Sequence, residues 1–427
     1  MSFVNIAQQK QIVSFGHAVL NPIGENRGIY FPQNIERLPE KVFATKDFQT
    51  IAVETLNSLI SGELPRERLK SMVSKAFNFP IRVQSLNSRL HVLELFHGPT
   101  LAFKDFGARF LAECLAHFNK DKATIVTATS GDTGAAVAHA FHGQPDIDVV
   151  ILYPKGKISK EQEQLFCTLG DNIHTVQVNG DFDACQTLVK QAFSDDEVTN
   201  TLNLNSANSI NVARLVAQVC YYNALPALLD EPIDRLFVPS GNFGNLTAAM
   251  IARAMGAPIN HLVAATNKND TVPRFFLDKT WYPKETQRTL SNAMDVSKPN
   301  NFSRILYHYQ NELDKLFDEM SAISVDDQRT CSMIKYFAKQ NYMVDPHTAV
   351  GLRATQCVEL FSDQSNDMVA ATAHPAKFAD VLEDILKQPI DRPEAISRAL
   401  DKPNLSDSLD NDFDDFKDYL LALHSSH

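Results

Sequence analysis

Residues 124–141 read TIVTATSGDTGAAVAHAF. A β-branched run, TIVTA, passes through a Ser-Gly-Asp-Thr-Gly loop into an Ala-rich segment over 134–141. β-branched side chains suit a pleated strand and alanine suits a helix, so the stretch predicts a strand, a tight loop and a helix in succession. The same order recurs in both directions. LHVLELF (90–96) is strand-like and precedes an amphipathic helix over 103–118, with Phe106, Phe110, Leu111 and Leu115 at helical spacing. VVILY (149–153) ends at Pro154, and a helix over 160–169 follows and stops at Gly170. HTVQV (174–178) leads to a helix over 181–193 whose acidic first turn suits the helix dipole. RLFVP (235–239) enters a Gly-Asn loop and a helix over 246–255, ending at Gly256. HLVAA (261–265) and MVAAT (368–372) complete the strands. Repeated strand–loop–helix units predict an α/β fold with a parallel, doubly wound core, in which ligands gather beyond the C-terminal ends of the strands.

At 427 residues the chain exceeds one typical core. Residues 1–80 form a small N-terminal domain, with helices near 47–61 and 65–77 and turns at Asn21-Pro22 and Gly24, closed off near Phe79-Pro80. Residues 81–390 hold the core; within it 267–310, rich in Asn, Pro, Ser and Thr, read as long loops with short helices. Residues 391–427 form an acidic, partly helical tail, and 400–418 (LDKPNLSDSLDNDFDDFKD) read as a solvated tail or a capping helix.

Composition narrows the function classes. Hydrophobic content of 44% and charged content of 21% are ordinary for a soluble globular protein. No run of roughly 18 apolar residues occurs, and MSFVNIAQQKQIVSF lacks the pattern of a secretory signal, so a cytoplasmic protein without membrane contact is expected. The formal charge of −11 disfavours nonspecific nucleic-acid binding. The six cysteines, at 114, 167, 185, 220, 331 and 357, show no CxxC pair and no clustering with histidine. They read as small core residues, with no metal site.

Three segments carry the chemistry. In HGPTLAFKDFG (97–107), Lys104 opens a helix beside Phe103 and Phe106. Burial there favours the neutral amine that condenses with an aldehyde; a surface lysine on an amphipathic helix is the plainer alternative. SGNFGN (240–245) follows a strand and opens a helix, and Gly241 and Gly244 allow backbone N–H groups to converge on a phosphate. It is neither a dinucleotide fingerprint nor a P-loop. In SGDTG (130–134), Ser130, Gly131 and Thr133 can hold a carboxylate, while Asp132 or Thr133 can cap the helix. An amine nucleophile with two anion-binding loops is what a pyridoxal-phosphate enzyme acting on an amino acid requires. Further candidates are Arg214, on an otherwise apolar helix and in want of an anion or an acidic side chain, with Asn205 and Ser206 at the strand end before it. His97 can touch substrate or brace the Gly98-Pro99 turn, and Thr372 can meet a ring nitrogen or cap a helix.

LELFHGPTLAFKDF, TATSGDTGAAVAHAF, NSANSIN, VPSGNFGN, NDTVPRF, LSNAMDVS and TAHPAKF, in this order, resemble the threonine synthase family, of the bacterial and fungal type with an N-terminal domain. The resemblance implies mostly parallel sheets in two lobes, as in the tryptophan synthase β subunit, with the smaller lobe, approximately 100–205, inserted in the larger. It implies conversion of O-phospho-L-homoserine and water into L-threonine and phosphate with pyridoxal 5′-phosphate, by a monomer or homodimer. Lys104 would carry the cofactor. Ser240, Gly241, Asn242, Phe243, Gly244 and Asn245 would hold its phosphate, and Thr372 would face its pyridine nitrogen. Ser130, Gly131 and Thr133 would belong to the substrate loop. Asn205, Ser206 and Arg214 would receive the substrate phosphate, with His97 as a further substrate contact. Serine or threonine dehydration on the same fold, and a cofactor-binding homologue without turnover, are the alternative readings.

Overall fold

The computed structural model describes residues 3–60, 62–357 and 365–425, and among these fourteen strands form three sheets. β1 (Phe3–Asn5), β2 (Gln8–Val13) and β3 (Tyr30–Pro32) make an antiparallel sheet in the order β2-β1-β3, belonging to an N-terminal domain with the helices Phe48–Ile60 and Arg66–Ala76. β4 (Arg82–Ser85) pairs antiparallel with β5 (Leu90–Glu94) at one edge of the large sheet. The chain then leaves for the smaller lobe, where β6 (Ala123–Ala128), β7 (Ile147–Pro154), β8 (Ile173–Val178) and β9 (Leu204–Asn205) run parallel. It returns through β10 (Ile233–Pro239), β11 (Ile259–Thr266), β12 (Met320–Ser324) and β13 (Asp367–Ala371), giving the large sheet the order β12-β11-β10-β13-β5-β4. β14 (Asp407–Leu409) pairs parallel with β8, so the smaller sheet reads β14-β8-β7-β6-β9.

The two-lobed α/β architecture is the expected one, and the differences have local causes. β1–β4, β9, β12 and β14, two to six residues long, are absent from the sequence reading because they lack the β-branched and apolar runs that mark β5, β6, β8 and β13 at similar length. The helix expected over 246–255 begins earlier, at Gly244, and that expected over 134–141 begins at Asp132, so both glycine-containing loops feed directly into helix N-termini. Ser61, the expected end of the first domain helix, lies outside the described residues, as do Met1 and Ser2 and the last two residues of the tail.

The acidic stretch over 400–418 is not a free tail. Asp407, Ser408 and Leu409 lie in register with Val176, Gln177 and Val178, and the helix Phe413–Ser425 buries Phe416 and Leu420 against the smaller lobe. Lys417 fixes that helix by bonding Asp195 at 2.9 Å and Glu197 at 2.8 Å.

The N-terminal domain is fastened to the two lobes by buried polar groups as well as by packing. Arg304 is fully buried, and its guanidinium donates to Tyr30 O at 2.9 Å, Ile210 O at 2.7 Å, Ser209 O at 3.4 Å and Asn301 Oδ1. Among the described residues no carboxylate pairs with it, and burial pulls its pKa down to about 9. Asn205 donates to Leu20 O at 2.9 Å and Asn211 to Val19 O at 3.0 Å. Arg304→Ala leaves several carbonyls buried without donors, each costing about 1–3 kcal/mol. We expect a thermal midpoint lower by several degrees, with the loosening concentrated at 30–32 and 206–211 in hydrogen exchange.

Candidate active site

A cleft of about 1260 Å³ opens between the lobes. Its floor is made where strands end: Ala128–Ser130 after β6, Pro239–Asn245 after β10, and Thr372 after β13. The 206–210 loop, the 283–286 and 292–298 segments, and Gln9 and Arg27 of the N-terminal domain complete the walls.

Lys104 is held at the first turn of the helix Lys104–Phe118 by a short zipper between two loops. Ala102 bridges Ala373, Phe103 N donates to Thr372 O at 2.9 Å, and His374 N donates to Leu101 O at 3.0 Å. The zipper brings Lys104 and Thr372, 268 positions apart in sequence by subtraction of their numbers, into one wall. Leu101 takes a left-handed φ of 58° to make the turn. Buried Asp105 then accepts from Thr100 N at 2.9 Å and Thr100 Oγ1 at 2.6 Å, locking the helix start. The Lys104 side chain is 13% exposed. Burial lowers its pKa, and Lys377 and Arg214 push the same way against the attraction of Asp132.

Asp132 is the counter-charge. Its Oδ2 lies 3.6 Å from Lys104 Nζ, while Oδ1 accepts from Lys377 Nζ at 2.9 Å and Gln162 Nε2 at 3.0 Å. Burial alone would raise its pKa, but Lys377 and then Lys104 outweigh that and hold it below the usual carboxylate range. The carboxylate is therefore an acceptor with no proton to give. It does not cap its helix, and neither does Thr133: Thr129 Oγ1 accepts from Gly131 N at 2.9 Å and Gly134 N at 2.7 Å instead.

The 240–245 loop has the form of an anion cradle. A Cβ on Gly241 would stand 2.7 Å from Met294 Cα and 2.8 Å from Ala293 O, so only glycine permits this approach of two backbones. Phe243 adopts φ 62° and buries its ring on Phe302, which turns the following N–H groups toward the cleft at the start of the helix Gly244–Ala254. Asn242 is spent on scaffolding: Nδ2 donates to Ser209 Oγ and Oδ1 accepts from Asn300 N, both at 2.6 Å. Ser240 Oγ donates to Val238 O at 2.8 Å. Asn245 Oδ1 accepts from the hydroxyls of Tyr221 and Tyr222, and its buried Nδ2 has no protein partner.

Arg214 is 2% exposed, donates from Nη1 to Ala207 O at 2.7 Å, and packs across Gly107 of the Lys104 helix. No carboxylate pairs with it among the described residues, and its Nε is unpartnered. Burial lowers its pKa to about 10. The acidic partner the sequence allowed is thus missing, and the cation waits on an anion. Ser130, Thr133, Ser206 and Thr372 line the cleft with it, as do all six residues of SGNFGN.

Three expected contacts fall outside the lining. Gly131 donates its N–H to Thr129 Oγ1 at 2.9 Å and lies against Gln162. His97 Nε2 is 2.9 Å from Glu94 Oε2, behind the loop zipper, and braces the turn. Asn205 turns toward Val19 and Leu20 and fastens the N-terminal domain.

Sequence reasoning missed several groups. Lys377 is fully buried and joins Asp132 to Thr100 O at 2.7 Å. Its signal was its place in TAHPAKF, a lysine amid small and apolar residues. Asn292, Ala293, Met294 and Asp295 of LSNAMDVS form the roof over Gly241. His347 supports them: Nδ1 donates to Asp345 Oδ2 at 2.7 Å, which leaves Nε2 to accept from Ala293 N at 3.2 Å. Asp295, pushed up to about 6 by burial, accepts from Thr289 Oγ1 at 2.7 Å and Asn267 Nδ2 at 2.8 Å. Among the described residues no cluster could hold a metal ion, and no helix is long and apolar enough to cross a membrane.

A buried lysine whose neutral form is favoured, facing a glycine-cleared helix N-terminus with an unpartnered Asn245 amide, fits pyridoxal phosphate. The chain matches the pyridoxal-phosphate-dependent enzyme family over residues 79–370, and the fold and cleft are of that class. Residues 2–77 match the threonine synthase N terminus, and 348–420 the threonine synthase C-terminal region. Threonine synthase of Escherichia coli (strain K12) is 49% identical, with 97% of each chain covered. That of Haemophilus influenzae is 47% identical over 99% of this chain and all of its own. A crystal structure of threonine synthase from Escherichia coli superposes with a TM-score of 0.94 at 46% identity, covering 99% of this chain and 100% of that one. The pyridoxal-phosphate-bound threonine synthase of Brucella melitensis superposes at 0.92 with 31% identity and complete coverage of both. The chain belongs to the threonine synthase family, with pyridoxal phosphate as its cofactor and threonine synthesis as its function.

Gly241→Ala should weaken cofactor binding at least roughly tenfold, because the atoms its Cβ would meet, in Ala293 and Met294, are backbone and cannot turn aside; fluorescence titration of the apoenzyme reads it. Lys377→Met removes a like charge from Lys104 and leaves it the whole of Asp132, so the Lys104 pKa should rise. The pH at which the apoenzyme condenses with the cofactor aldehyde, followed by visible absorption, should move upward.

Proposed function

We propose that this cleft converts O-phospho-L-homoserine and water into L-threonine and phosphate, as a carbon–oxygen lyase acting on a phosphate ester. The observation that carries the reading is Arg214, a buried guanidinium with no carboxylate partner among the described residues, in the same cleft as Lys104. Serine or threonine dehydration offers no phosphate for it.

Lys104 would carry the cofactor, and Gly241, Phe243, Gly244 and Asn245 would hold its phosphate with backbone donors and the free Asn245 amide. Ser240 and Asn242 would keep that loop in shape, and Thr372 would face the pyridine nitrogen. When bound, pyridoxal phosphate supplies an electron sink that makes the substrate Cα and Cβ protons removable. Ser130, Gly131 and Thr133, at a helix N-terminus, receive the substrate carboxylate. Ser206 and Arg214 receive the phosphate that leaves from Cγ.

Lys104, released by the substrate amine, takes the Cα proton. Its lowered pKa provides the neutral amine needed. Asp132, ion-paired with Lys377, fixes the position of the Lys104 amine without competing for the proton. Neutral Thr372 puts no acid at the ring nitrogen, so side reactions are restrained by geometry. The 292–295 roof and the smaller lobe shield the reacting atoms while water adds at Cβ. The negative net charge and the absence of a membrane-length helix among the described residues support a cytoplasmic enzyme without nucleic-acid partners, working as monomer or homodimer. We also propose the division into 1–80, 81–390 and 391–427, with His97 and Asn205 as braces.

Purified holoenzyme given O-phospho-L-homoserine should release phosphate and threonine in equal amounts. Ketobutyrate without threonine would reject the reading. Lys104→Ala should abolish turnover and the visible band of the lysine-bound cofactor with the fold intact. Arg214→Ala should impair use of O-phosphohomoserine far more than cofactor binding.

A further inference from the structure

The cleft roof ends in a stretch held only at its two ends. Between the helix Thr271–Asp278 and the 292–294 turn, residues 280–290 have no regular secondary structure. At one end the Trp281 ring stacks on Phe302, with centroids 5.2 Å apart and planes 7° from parallel. At the other, Thr286 Oγ1 meets Ser297 Oγ at 3.0 Å, and Gln287 exchanges two hydrogen bonds with the Asn269 side chain, at 2.8 and 2.9 Å. Between these anchors, Tyr282, Pro283, Lys284 and Glu285 make no hydrogen bond or ion pair with any described residue. Lys284 is exposed and lines both the main cleft and a smaller hollow of about 220 Å³ beside it.

The charges of the cleft make this strap significant. Lys104 already faces Asp132, so among the described residues that line the cleft Arg214 is the buried cation left for a substrate phosphate of about two negative charges. Three other rim cations ride on fixed backbone. Lys190 belongs to the helix Phe182–Ala192 and Arg27 to the turn Glu25–Arg27. Lys298 lies between Ser297, bonded to Thr286, and Asn300, whose N–H is held by Asn242. Lys284 alone of these four is on backbone with freedom to follow a ligand.

We propose that Lys284 is a substrate-positioning residue: the strap swings its ammonium onto the substrate phosphate, where it joins Arg214 and closes the cleft mouth. The inference rests on the phosphate-ester reading above. It assigns to the strap two tasks, gripping the leaving group and excluding water once the phosphate is present.

Holoenzyme kinetics separate the two claims. Lys284→Ala should raise KM for O-phospho-L-homoserine and Ki for inorganic phosphate by roughly tenfold or more each, as expected for loss of a charge-assisted contact. The visible cofactor band should be unchanged, and Lys284→Arg should retain most of the affinity. Lys298→Ala removes the same charge from the same rim and should change neither constant by more than about twofold. Equal effects of Lys284→Ala and Lys298→Ala that disappear together in high salt would mean rim attraction and overturn the proposal. So would an unaltered Lys284→Ala enzyme beside an active wild type. If wild type fails to turn over O-phosphohomoserine, the function reading falls instead. Inorganic phosphate then still tests the clamp through lysine acetylation read by mass spectrometry: protection of Lys284 but not Lys298 supports it, and equal labelling refutes it.

Discussion

Asp132 between Lys377 and Lys104 is the contact on which the catalytic arrangement depends. A lone carboxylate so buried would be costly, and so would either ammonium; together they leave one surplus positive charge, and burial disfavours it. Lys377 is also tied to Thr100 O and bonds Asp132 at 2.9 Å, whereas Lys104 stands 3.6 Å off. The inner pair is therefore the fixed ion pair, and the proton deficit falls on the outer amine. The arrangement couples structure to reactivity: the 130–134 loop, the 372–378 loop and the Lys104 turn must be docked together before the lysine is desolvated and poised. Gln162 extends the same knot into the helix Lys160–Cys167 and, through Asn292, to the roof.

Much of this was legible in the sequence because the strands that build the cleft floor are apolar runs that lead directly into loops and helices. TIVTA, RLFVP and MVAAT each end in a loop that enters the cleft, and the glycines of the first two loops mark where backbone must approach closely. Less legible was anything set by contact across sequence distance. His97 reads as either a substrate contact or a brace of the Gly98-Pro99 turn, and only its contact with Glu94, outside the cleft lining, separates the two. Asn205 reads as a ligand, but docking of the N-terminal domain claims its amide. Lys377 reads as one more basic residue until burial and the Asp132 partner are seen. Short strands such as Leu204-Asn205 carry no periodic signal and exist because the neighbouring strand, here β6, offers an edge.

The division of labour among asparagines follows from the same physics. Asn242 and Asn245 belong to one loop with nearly identical surroundings in sequence, but Asn242 exhausts its amide on Ser209 and Asn300, whereas Asn245 keeps one donor free. A buried amide nitrogen without a partner is costly in an empty protein and useful in a loaded one. Arg214 Nε shows the same pattern on the facing helix. The cleft thus carries unmet polar demand that anionic ligands satisfy, which makes ligand binding a contribution to stability as well as a step in turnover.

The pairing of β14 with β8 has a consequence for biogenesis. The edge of β8 is completed by residues more than two hundred positions downstream, with Val176 opposite Asp407. During synthesis that edge stays bare until the 407–409 segment has emerged, although every other strand of the smaller lobe is already available. An unpaired, apolar-flanked edge is a template for pairing with other chains. The newborn chain is thus open to edge-to-edge pairing in the interval before its closing segment arrives, and the arrival of that segment ends the exposure.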